Sequence, residues 1–257
     1  MYDISIVTVC LNSELSIPRT IQSLRVQKNV TIDHVVVDGG STDNTCNIVR
    51  SLRPETRIFS LPGSSIYEAL NFGIKKCHSD VIGILHSNDE FSDKHSLEYI
   101  KAQFVGDVEL DVFCGSALVV DNLANRKPHR YIDSVLFGCR FLLKFGFMPA
   151  HTGLFHTIRV FDEVGGYDTS YYSAADFKFC WKIFYESRTK FKYKLSRKIV
   201  TVMSAGGTSS SGIKSYIQTS REVSAILADE GVHINFLCHL FRLIIKKFHS
   251  LLTKNLH

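Results

Sequence analysis

The 257-residue chain lacks the short motifs of several common enzyme and metal-binding classes. Its seven cysteines form no C-x-x-C pair, which argues against zinc and favours reduced thiols in a cytoplasmic protein. Neither G-x-G-x-x-G nor G-K-[ST] occurs, which disfavours a dinucleotide enzyme and a P-loop ATPase. No basic segment followed by an apolar run opens the sequence, so we expect no signal peptide.

Strong charge bias and long uninterrupted apolar runs are also absent. The net charge is +5, with 21% charged and 45% hydrophobic residues, which predicts one globular domain with a tail. The basic residues of 178–198 and 242–254 carry no interleaved aromatic pattern, so we expect no nucleic-acid binding. Arg242, Lys246 and Lys247 interrupt the apolar run of 234–252 too early for a transmembrane helix.

What the chain does have is a regular alternation of apolar β-branched runs with amphipathic segments. The pattern predicts strands at 4–9, 32–37, 57–60, 81–86 and 111–120, and helices at 17–24, 46–52 and 66–76. A turn is expected at 122–126. Strand–helix alternation of this kind predicts an α/β fold with a parallel sheet and helical crossovers.

Two acidic clusters follow two of the predicted strands. Asp38 ends the Val35–Val37 run and precedes Gly39, at the strand end where open α/β sheets bind ligands. Asp89 follows the later strand as an exposed strand-end carboxylate, and such hard oxygen ligands favour Mg²⁺ or Mn²⁺ bridging a diphosphate. The alternatives are that Asp38 only caps the next helix and that Asp89 only serves a turn.

Five stretches, in this order and spacing, resemble the family 2 glycosyltransferases of the GT-A fold, particularly bacterial enzymes that extend polysaccharide repeat units. They are residues 6–14, 37–43, 65–74, 85–89 and 174–177. The resemblance covers most of residues 3–210 and implies a mixed sheet flanked by helices. It also implies a catalytic domain over 1–215, with a donor half at 1–110 and an acceptor half at 111–215, followed by a helical tail over 216–257.

The resemblance assigns donor binding to Thr8, Leu11, Glu14, Asp38, Asn71, Asn88 and Asp89. In this assignment Asp38 contacts the uracil edge, Asn88 lies near the ribose and Asp89 binds Mn²⁺ or Mg²⁺. Two departures from the family pattern stand out. Asn88 replaces a common aspartate, which predicts weaker metal dependence, and Leu11 replaces an aromatic residue that often stacks on the base.

The acceptor half carries the remaining candidates. Asp176, at a predicted helix start, resembles the family's catalytic base, although a carboxylate there could also serve only as a cap. His151, in a stretch resembling a family strand near the reaction centre, is expected at the diphosphate or the acceptor, or else in the core. Gly207 and Ser209 belong to a small-residue loop that either closes over the diphosphate or is a linker.

The resemblance implies inverting transfer of a hexose or N-acetylhexosamine from a UDP-sugar to a polyprenyl-diphosphate-linked saccharide, in surface polysaccharide assembly of the O-antigen, lipopolysaccharide or capsule type. One alternative is a catalytically silent relative that binds nucleotide sugar or a partner transferase, for which Asn88 is the hint. Another is a nucleotidyltransferase, but residues 11–14 lack the Gly-rich basic loop that such enzymes need.

The last segment of the sequence has a different character. Residues 234–252 form an apolar stripe with helical spacing and a basic flank, which predicts a C-terminal amphipathic helix. Such a helix would bind the inner face of the plasma membrane as a peripheral element, or dock on the catalytic domain or on the second subunit of a homodimer.

Overall fold

The computed structural model describes residues 3–121, 126–187, 189–205 and 213–232. Its strands are β1 Ile4–Cys10, β2 Ile32–Asp38, β3 Arg57–Ser60, β4 Val81–Ile84, β5 Asp89–Phe91, β6 Val112–Val120, β7 Pro128–Ile132, β8 Leu154–Thr157 and β9 Tyr193–Ser204. Its α-helices are α1 Ile17–Arg25, α2 Thr45–Leu52, α3 Ile66–Ile74, α4 Ser96–Gly106, α5 Ser134–Phe137, α6 Arg140–Leu143, α7 Ile158–Val164, α8 Ala175–Trp181 and α9 Ile213–Asp229. A 3₁₀ turn covers His151–Gly153, and a π-helical turn covers Lys182–Glu186.

The described strands form one mixed sheet in the order β3-β2-β1-β4-β8-β6-β9-β5, with β7 paired to β6. The strands β3, β2, β1 and β4 run parallel, whereas β8 is antiparallel to both β4 and β6. Farther along the sheet β9 is parallel to β6, and β5 is antiparallel to β9. The α/β alternation predicted for the first hundred residues is confirmed, and so is the mixed sheet flanked by helices.

Helices cover both faces of the parallel strands. Val7 and Val9 of β1 belong to a core cluster with residues of α3 and α8, and Ile4 and Ile6 belong to a second cluster with residues of α1, α2 and α4. Every residue of β1 and β2 is buried, as expected for parallel strands covered on both faces. The strand ends are therefore where these strands open toward solvent.

The helix α3 lies unusually close to β1. At its start Ser65 caps the backbone N–H of Glu68, and the Glu68 carboxylate accepts the Ser65 N–H in return. Near its end Gly73 faces the sheet, and a Cβ there would lie 2.6 Å from Cγ1 of Val7 and 3.0 Å from Cγ2 of Val37. The glycine therefore sets the close approach that seats α3, and with it Tyr67, at the end of β1.

Two regions differ from the expected pattern or lie outside the description. Residues 151–153 form a 3₁₀ turn rather than a strand, and β8 begins only at Leu154. Most of the turn expected at 122–126, the loop residues Gly207 and Ser209, and the helix expected at 234–252 lie outside the described residues. Within the described ranges, no helix has the length and apolar character needed to cross a bilayer.

We expect Gly73→Ala to lower the free energy of unfolding by about 1–3 kcal/mol, because the added methyl group overpacks the contact with Val7. Urea unfolding followed by circular dichroism measures the change. Gly106→Ala, at the end of α4 where a Cβ would meet no atom within 4 Å, is the matched control and should cost nothing. Equal stabilities of the two variants would contradict this account of α3 packing.

Candidate active site

A cavity of about 600 Å³ lies at the carboxyl ends of β1, β2 and β4. Its floor includes Cys10 and Gly39 from the ends of β1 and β2, and the residues after β4 supply a polar wall. Residues from the second half of the chain complete the lining: His151, Thr152, Tyr172, Ser173, Asp176, Met203 and Ser204. This placement is the one that open α/β sheets use for ligands.

Asp176 lies in the first turn of α8, partly buried in the cavity wall. Its Oδ1 accepts two hydrogen bonds, one from the backbone N–H of Phe177 at 2.8 Å and one from the Tyr67 hydroxyl at 3.4 Å. Burial raises the pKa of Asp176 to about 6, against the opposing effect of these donors and of His86. A carboxylate with such a pKa is ionised at neutral pH and basic enough to accept a proton.

Two histidines stand beside this carboxylate. The rings of His86 and His151 are 5.7 Å apart, and both line the cavity. The His151 Nε2 is 2.9 Å from the Tyr167 hydroxyl, and the Tyr167 ring in turn stacks on Tyr67. Burial lowers the pKa of each histidine to about 4, so both imidazoles are neutral at physiological pH. His151 thus lines the cavity and also has a hydrogen-bond partner in the core. It has features of both alternatives given by the sequence, a residue at the diphosphate or acceptor and a residue of the core.

Asn88 and Asp89 lie on the wall formed by the residues after β4. The expectation that Asp89 is an exposed carboxylate is wrong: the residue is 2% exposed, because it opens β5 and pairs with Met203 of β9. Burial raises the pKa of Asp89 to about 8, with a backbone hydrogen bond from Ser204 opposing the shift. Asn88 beside it is partly buried.

Asp38 is engaged by the turn that follows it. Its Oδ2 accepts the backbone N–H groups of Gly40 and Ser41, at 3.2 and 2.9 Å, and its Oδ1 accepts the Ser41 hydroxyl. Gly40 adopts a φ of +102°, a left-handed conformation that favours glycine. Asp38 therefore stabilises the turn after β2 and does not cap α2, whose N-cap is Asn44. Contact of Asp38 with a uracil edge stays a prediction.

Thr8 does not reach the cavity, and its assignment to the nucleotide base is corrected. Side chains alternate along β1, and Thr8 falls on the face covered by α1 and α2. Its hydroxyl lies 3.1 Å from Nε2 of His34, and the residue is fully buried. Burial lowers the pKa of His34 to about 3, so this pair is a neutral hydrogen bond within the core.

Glu14 and Asn71 also bond to protein groups outside the cavity. The Glu14 carboxylate accepts the backbone N–H of Asn44 at 3.1 Å, which joins the loop after β1 to the start of α2. Asn71 exchanges two hydrogen bonds with the backbone of Tyr167, at 2.7 and 2.9 Å. Neither side chain lines the cavity, so both have structural roles here, and their donor-binding assignments stay predictions.

The structure brings together five of the candidates: Leu11, Asn88, Asp89, His151 and Asp176. Leu11 is 58% exposed at the rim, where a base could lie against it. Sequence reasoning missed Tyr67, His86 and Tyr172 as cavity residues. The first two lie inside stretches that carry the family resemblance, so their position beside assigned residues was the available signal, whereas Tyr172 had none.

Asp89 also bears on whether the site fits a divalent cation. No group of three or more His, Cys, Asp or Glu side chains that could hold a metal occurs among the described residues. Mg²⁺ and Mn²⁺, however, need few protein carboxylates when phosphate and water complete their shell. A buried carboxylate whose pKa is raised by burial lacks a compensating positive charge, so Asp89 fits a cation brought together with a diphosphate.

Residues 5–184 match the family described as Glycosyl transferase family 2. The chain belongs to this family. It is 28% identical over 178 residues to a glycosyltransferase from Mycobacterium tuberculosis, a match that covers 68% of this chain and 66% of the relative. A PGL/p-HBAD biosynthesis glycosyltransferase of Mycobacterium bovis is 26% identical over 179 residues, covering 68% of this chain and 67% of that protein.

Solved structures show the same fold. S. aureus TarS 1-349 in complex with UDP-GlcNAc has a TM-score of 0.67 and 18% identity, over 87% of this chain and 66% of that one. The mannosyltransferase PcManGT from Pyrobaculum calidifontis, in complex with GDP-Man and Mn²⁺, has a TM-score of 0.63 and 14% identity. That match covers 91% of this chain and 65% of the mannosyltransferase. The chain thus spans about two thirds of these proteins, and its fold is GT-A.

We expect Asp176→Asn to lower turnover by a factor on the order of 10²–10⁴, because the amide keeps the size and the hydrogen bonds but cannot take up a proton.

The variant should also be more stable than the wild type at pH 8, by at most about 3 kcal/mol, since a buried charge is removed. As the pKa of Asp176 is raised to about 6, this advantage should shrink between pH 6 and pH 4, where the wild-type carboxyl becomes protonated. Kinetics and urea unfolding across pH measure both effects.

Asp168→Asn is the matched control. This carboxylate lies eight residues before Asp176 and pairs with Lys178 at 2.7 Å, but it does not line the cavity. It should keep turnover within a few-fold of wild type. An Asp176→Asn variant retaining more than about a tenth of wild-type turnover would contradict the assignment, since a tenfold loss corresponds to only about 1.4 kcal/mol.

Proposed function

We propose that this glycosyltransferase is an inverting enzyme that moves a hexose or N-acetylhexosamine from a UDP-sugar to a saccharide acceptor. The observation that carries the proposal is the partly buried Asp176 carboxylate, placed in the same cavity as Asp89 and the ends of β1 and β2. The Asp176 carboxylate is thereby available as a base, and the Asp89 carboxylate is available near a diphosphate. An inverting transfer needs this division of roles and no covalent sugar intermediate.

In the proposed reaction, Asp176 removes the proton from an acceptor hydroxyl as that oxygen attacks C1 of the donor sugar. The bond between C1 and the nucleoside diphosphate breaks on the opposite face, and UDP leaves. Asp89 would hold Mn²⁺ or Mg²⁺, which would offset the negative charge on the departing diphosphate. Tyr67 orients the base through its hydrogen bond to Oδ1.

The choice of donor rests on the likeness to TarS, which was solved with UDP and with UDP-GlcNAc. The mannosyltransferase solved with GDP-Man shows that the same fold also holds a guanine nucleotide. The rim of the cavity offers Leu11 in place of an aromatic residue, so stacking contributes little to base recognition here. A donor panel therefore has to include both nucleotides.

The acceptor we propose is a saccharide linked to polyprenyl diphosphate, in surface polysaccharide or glycolipid biosynthesis. A relative named for PGL/p-HBAD biosynthesis supports a lipid-linked acceptor. The apolar and basic pattern of 234–252 supports peripheral attachment at the inner face of the plasma membrane, each cation near the surface contributing about 1 kcal/mol.

Membrane attachment predicts that removal of residues 234–257 lowers sedimentation with anionic liposomes and spares turnover on a short soluble acceptor. Liposomes of neutral lipid serve as the control. A truncated protein that still sediments with anionic liposomes would contradict attachment through this segment. A truncated protein that has lost a dimer seen for the full chain would show that the segment serves subunit contact instead.

The alternative of a catalytically silent relative rests on Asn88, which stands where the family commonly has aspartate. The joint presence of Asp89 and Asp176 in one cavity favours the enzyme, since a binding module needs no base with a pKa of about 6. Turnover distinguishes the two proposals.

We expect release of the matching nucleoside diphosphate, UDP or GDP, from at least one UDP-sugar or GDP-sugar of a panel, in the presence of Mn²⁺ and a lipid-diphosphate N-acetylhexosamine. Asp89→Ala should abolish the release, because it removes the carboxylate placed near the diphosphate. Glu109→Ala, which alters an exposed carboxylate outside the cavity, is the matched control. Activity in EDTA equal to that with Mn²⁺ would refute the metal role. Nucleotide-sugar binding without turnover across the panel would favour the silent relative.

A further inference from the structure

Tyr172 is an aromatic side chain at the mouth of the cavity that the proposed reaction does not use. It is 68% exposed, it lines the cavity and it precedes the base Asp176 by four residues. Single exposed apolar residues are common on protein surfaces and need no explanation. Tyr172 differs from these because its position is fixed and because it borders the catalytic carboxylate.

A carboxylate on α9 fixes the backbone at this point. Glu222 accepts the N–H of Tyr172 at 3.2 Å and the N–H of Ser173 at 2.8 Å. It also accepts the Ser173 hydroxyl at 3.2 Å, and that hydroxyl lies 2.9 Å from Oγ1 of Thr219. Two successive backbone donors on one carboxylate hold a segment of chain far better than a solvent-exposed loop would be held. An aromatic ring is thus presented to the cavity at low entropic cost.

The cavity that Tyr172 lines also carries the hydroxyl groups of Ser64 and Ser65. The Ser64 hydroxyl donates to the Leu61 carbonyl and can still accept a hydrogen bond, whereas the Ser65 hydroxyl accepts the Glu68 N–H and can still donate one. A ligand matched to an aromatic face and several hydroxyls has an apolar C–H face and a hydroxylated edge. A pyranose ring has both, and the electron-rich face of the phenol ring attracts polarised C–H groups.

We propose that Tyr172 is the platform of an acceptor subsite, on which the pyranose ring that receives the new sugar stacks. This inference rests on the proposed function, because it places a sugar hydroxyl next to Asp176. Glu222 is a positioning residue in this subsite: it acts through the backbone of Tyr172 and does not touch the acceptor. The donor is held by other residues, at the ends of β1, β2 and β4.

Saturation-transfer difference NMR with a panel of octyl pyranosides (glucoside, galactoside, mannoside and the two N-acetylhexosaminides), recorded with UDP and Mn²⁺ present, tests the subsite directly. We expect ring-proton signals for at least one pyranoside with the wild type. The signals should be lost in Tyr172→Ala and kept in Tyr172→Phe, which retains the ring. Phe141→Ala is the matched control, because Phe141 is a 62% exposed aromatic residue that does not line the cavity.

Kinetics give a second and independent reading. Tyr172→Ala should raise KM for the acceptor tenfold or more, while KM for the donor stays within twofold. Glu222→Gln weakens the backbone contact without removing the ring, so it should raise the acceptor KM by a smaller factor. Equal NMR signals in wild type and Tyr172→Ala, or no signal for any pyranoside with the wild type, would overturn the subsite.

The outcome is separable from that of the proposed function. Pyranoside signals that depend on Tyr172, without UDP release from any nucleotide sugar, would support the subsite and refute the transferase activity. Transfer to a saccharide whose acceptor KM is unchanged in Tyr172→Ala would support the activity and refute the subsite.

Discussion

The burial of both faces of the parallel strands is the constraint from which the rest of the structure follows. With α3 and α8 on one face and α1, α2 and α4 on the other, no polar side chain in the middle of β1 can reach a ligand. Thr8 illustrates the result, since its hydroxyl is satisfied by His34 inside the core. Chemistry is therefore restricted to the residues that follow the strands and to the elements that meet them there. The close packing of α3 on β1 at Gly73 then places Tyr67, a residue of α3, among the groups at the strand ends.

The same exclusion of water determines the electrostatics of the cavity. Burial raises the pKa of Asp176 to about 6 and that of Asp89 to about 8, whereas it keeps His86 and His151 neutral with pKa values of about 4. The two acids consequently differ in what they need. Asp176 has hydrogen-bond donors on its Oδ1 and is ionised at neutral pH, so it can act alone as a base. Asp89 needs a nearby positive charge to be ionised at neutral pH, which agrees with the proposal that it holds a cation beside a diphosphate.

Much of the fold but only part of the site could be predicted from the sequence. The reason is that local patterns specify strands and helices, whereas many side-chain contacts depend on residues far away in the chain. Strands with continuous β-branched runs and helices with regular apolar spacing are specified locally, and they were placed to within a few residues. Asp89 could also be found, because a carboxylate at a strand end is a local signal, whereas Asp176 was found through the family resemblance of residues 174–177. The bonds of Glu14 and Asn71 depend on residues 30 and 96 positions away, and no local pattern reports such a partner. The burial of Asp89 likewise depends on β9, which pairs with β5 only in the folded sheet.

The residues before α8 show how one long-range contact can position the wall of a cavity whose other side is formed by strand ends. The segment before α8 has no sheet to hold it, so its position depends on the helix that packs against α8. Glu222 of α9 provides that support by accepting two successive backbone N–H groups at Tyr172 and Ser173. Asp176 belongs to α8, whose buried residues lie in the main core cluster, so its position does not depend on the same contact. If Asp176 is the base and Tyr172 the acceptor platform, as proposed above, substitutions on α9 should alter acceptor binding while Asp176 and the strand ends stay in place.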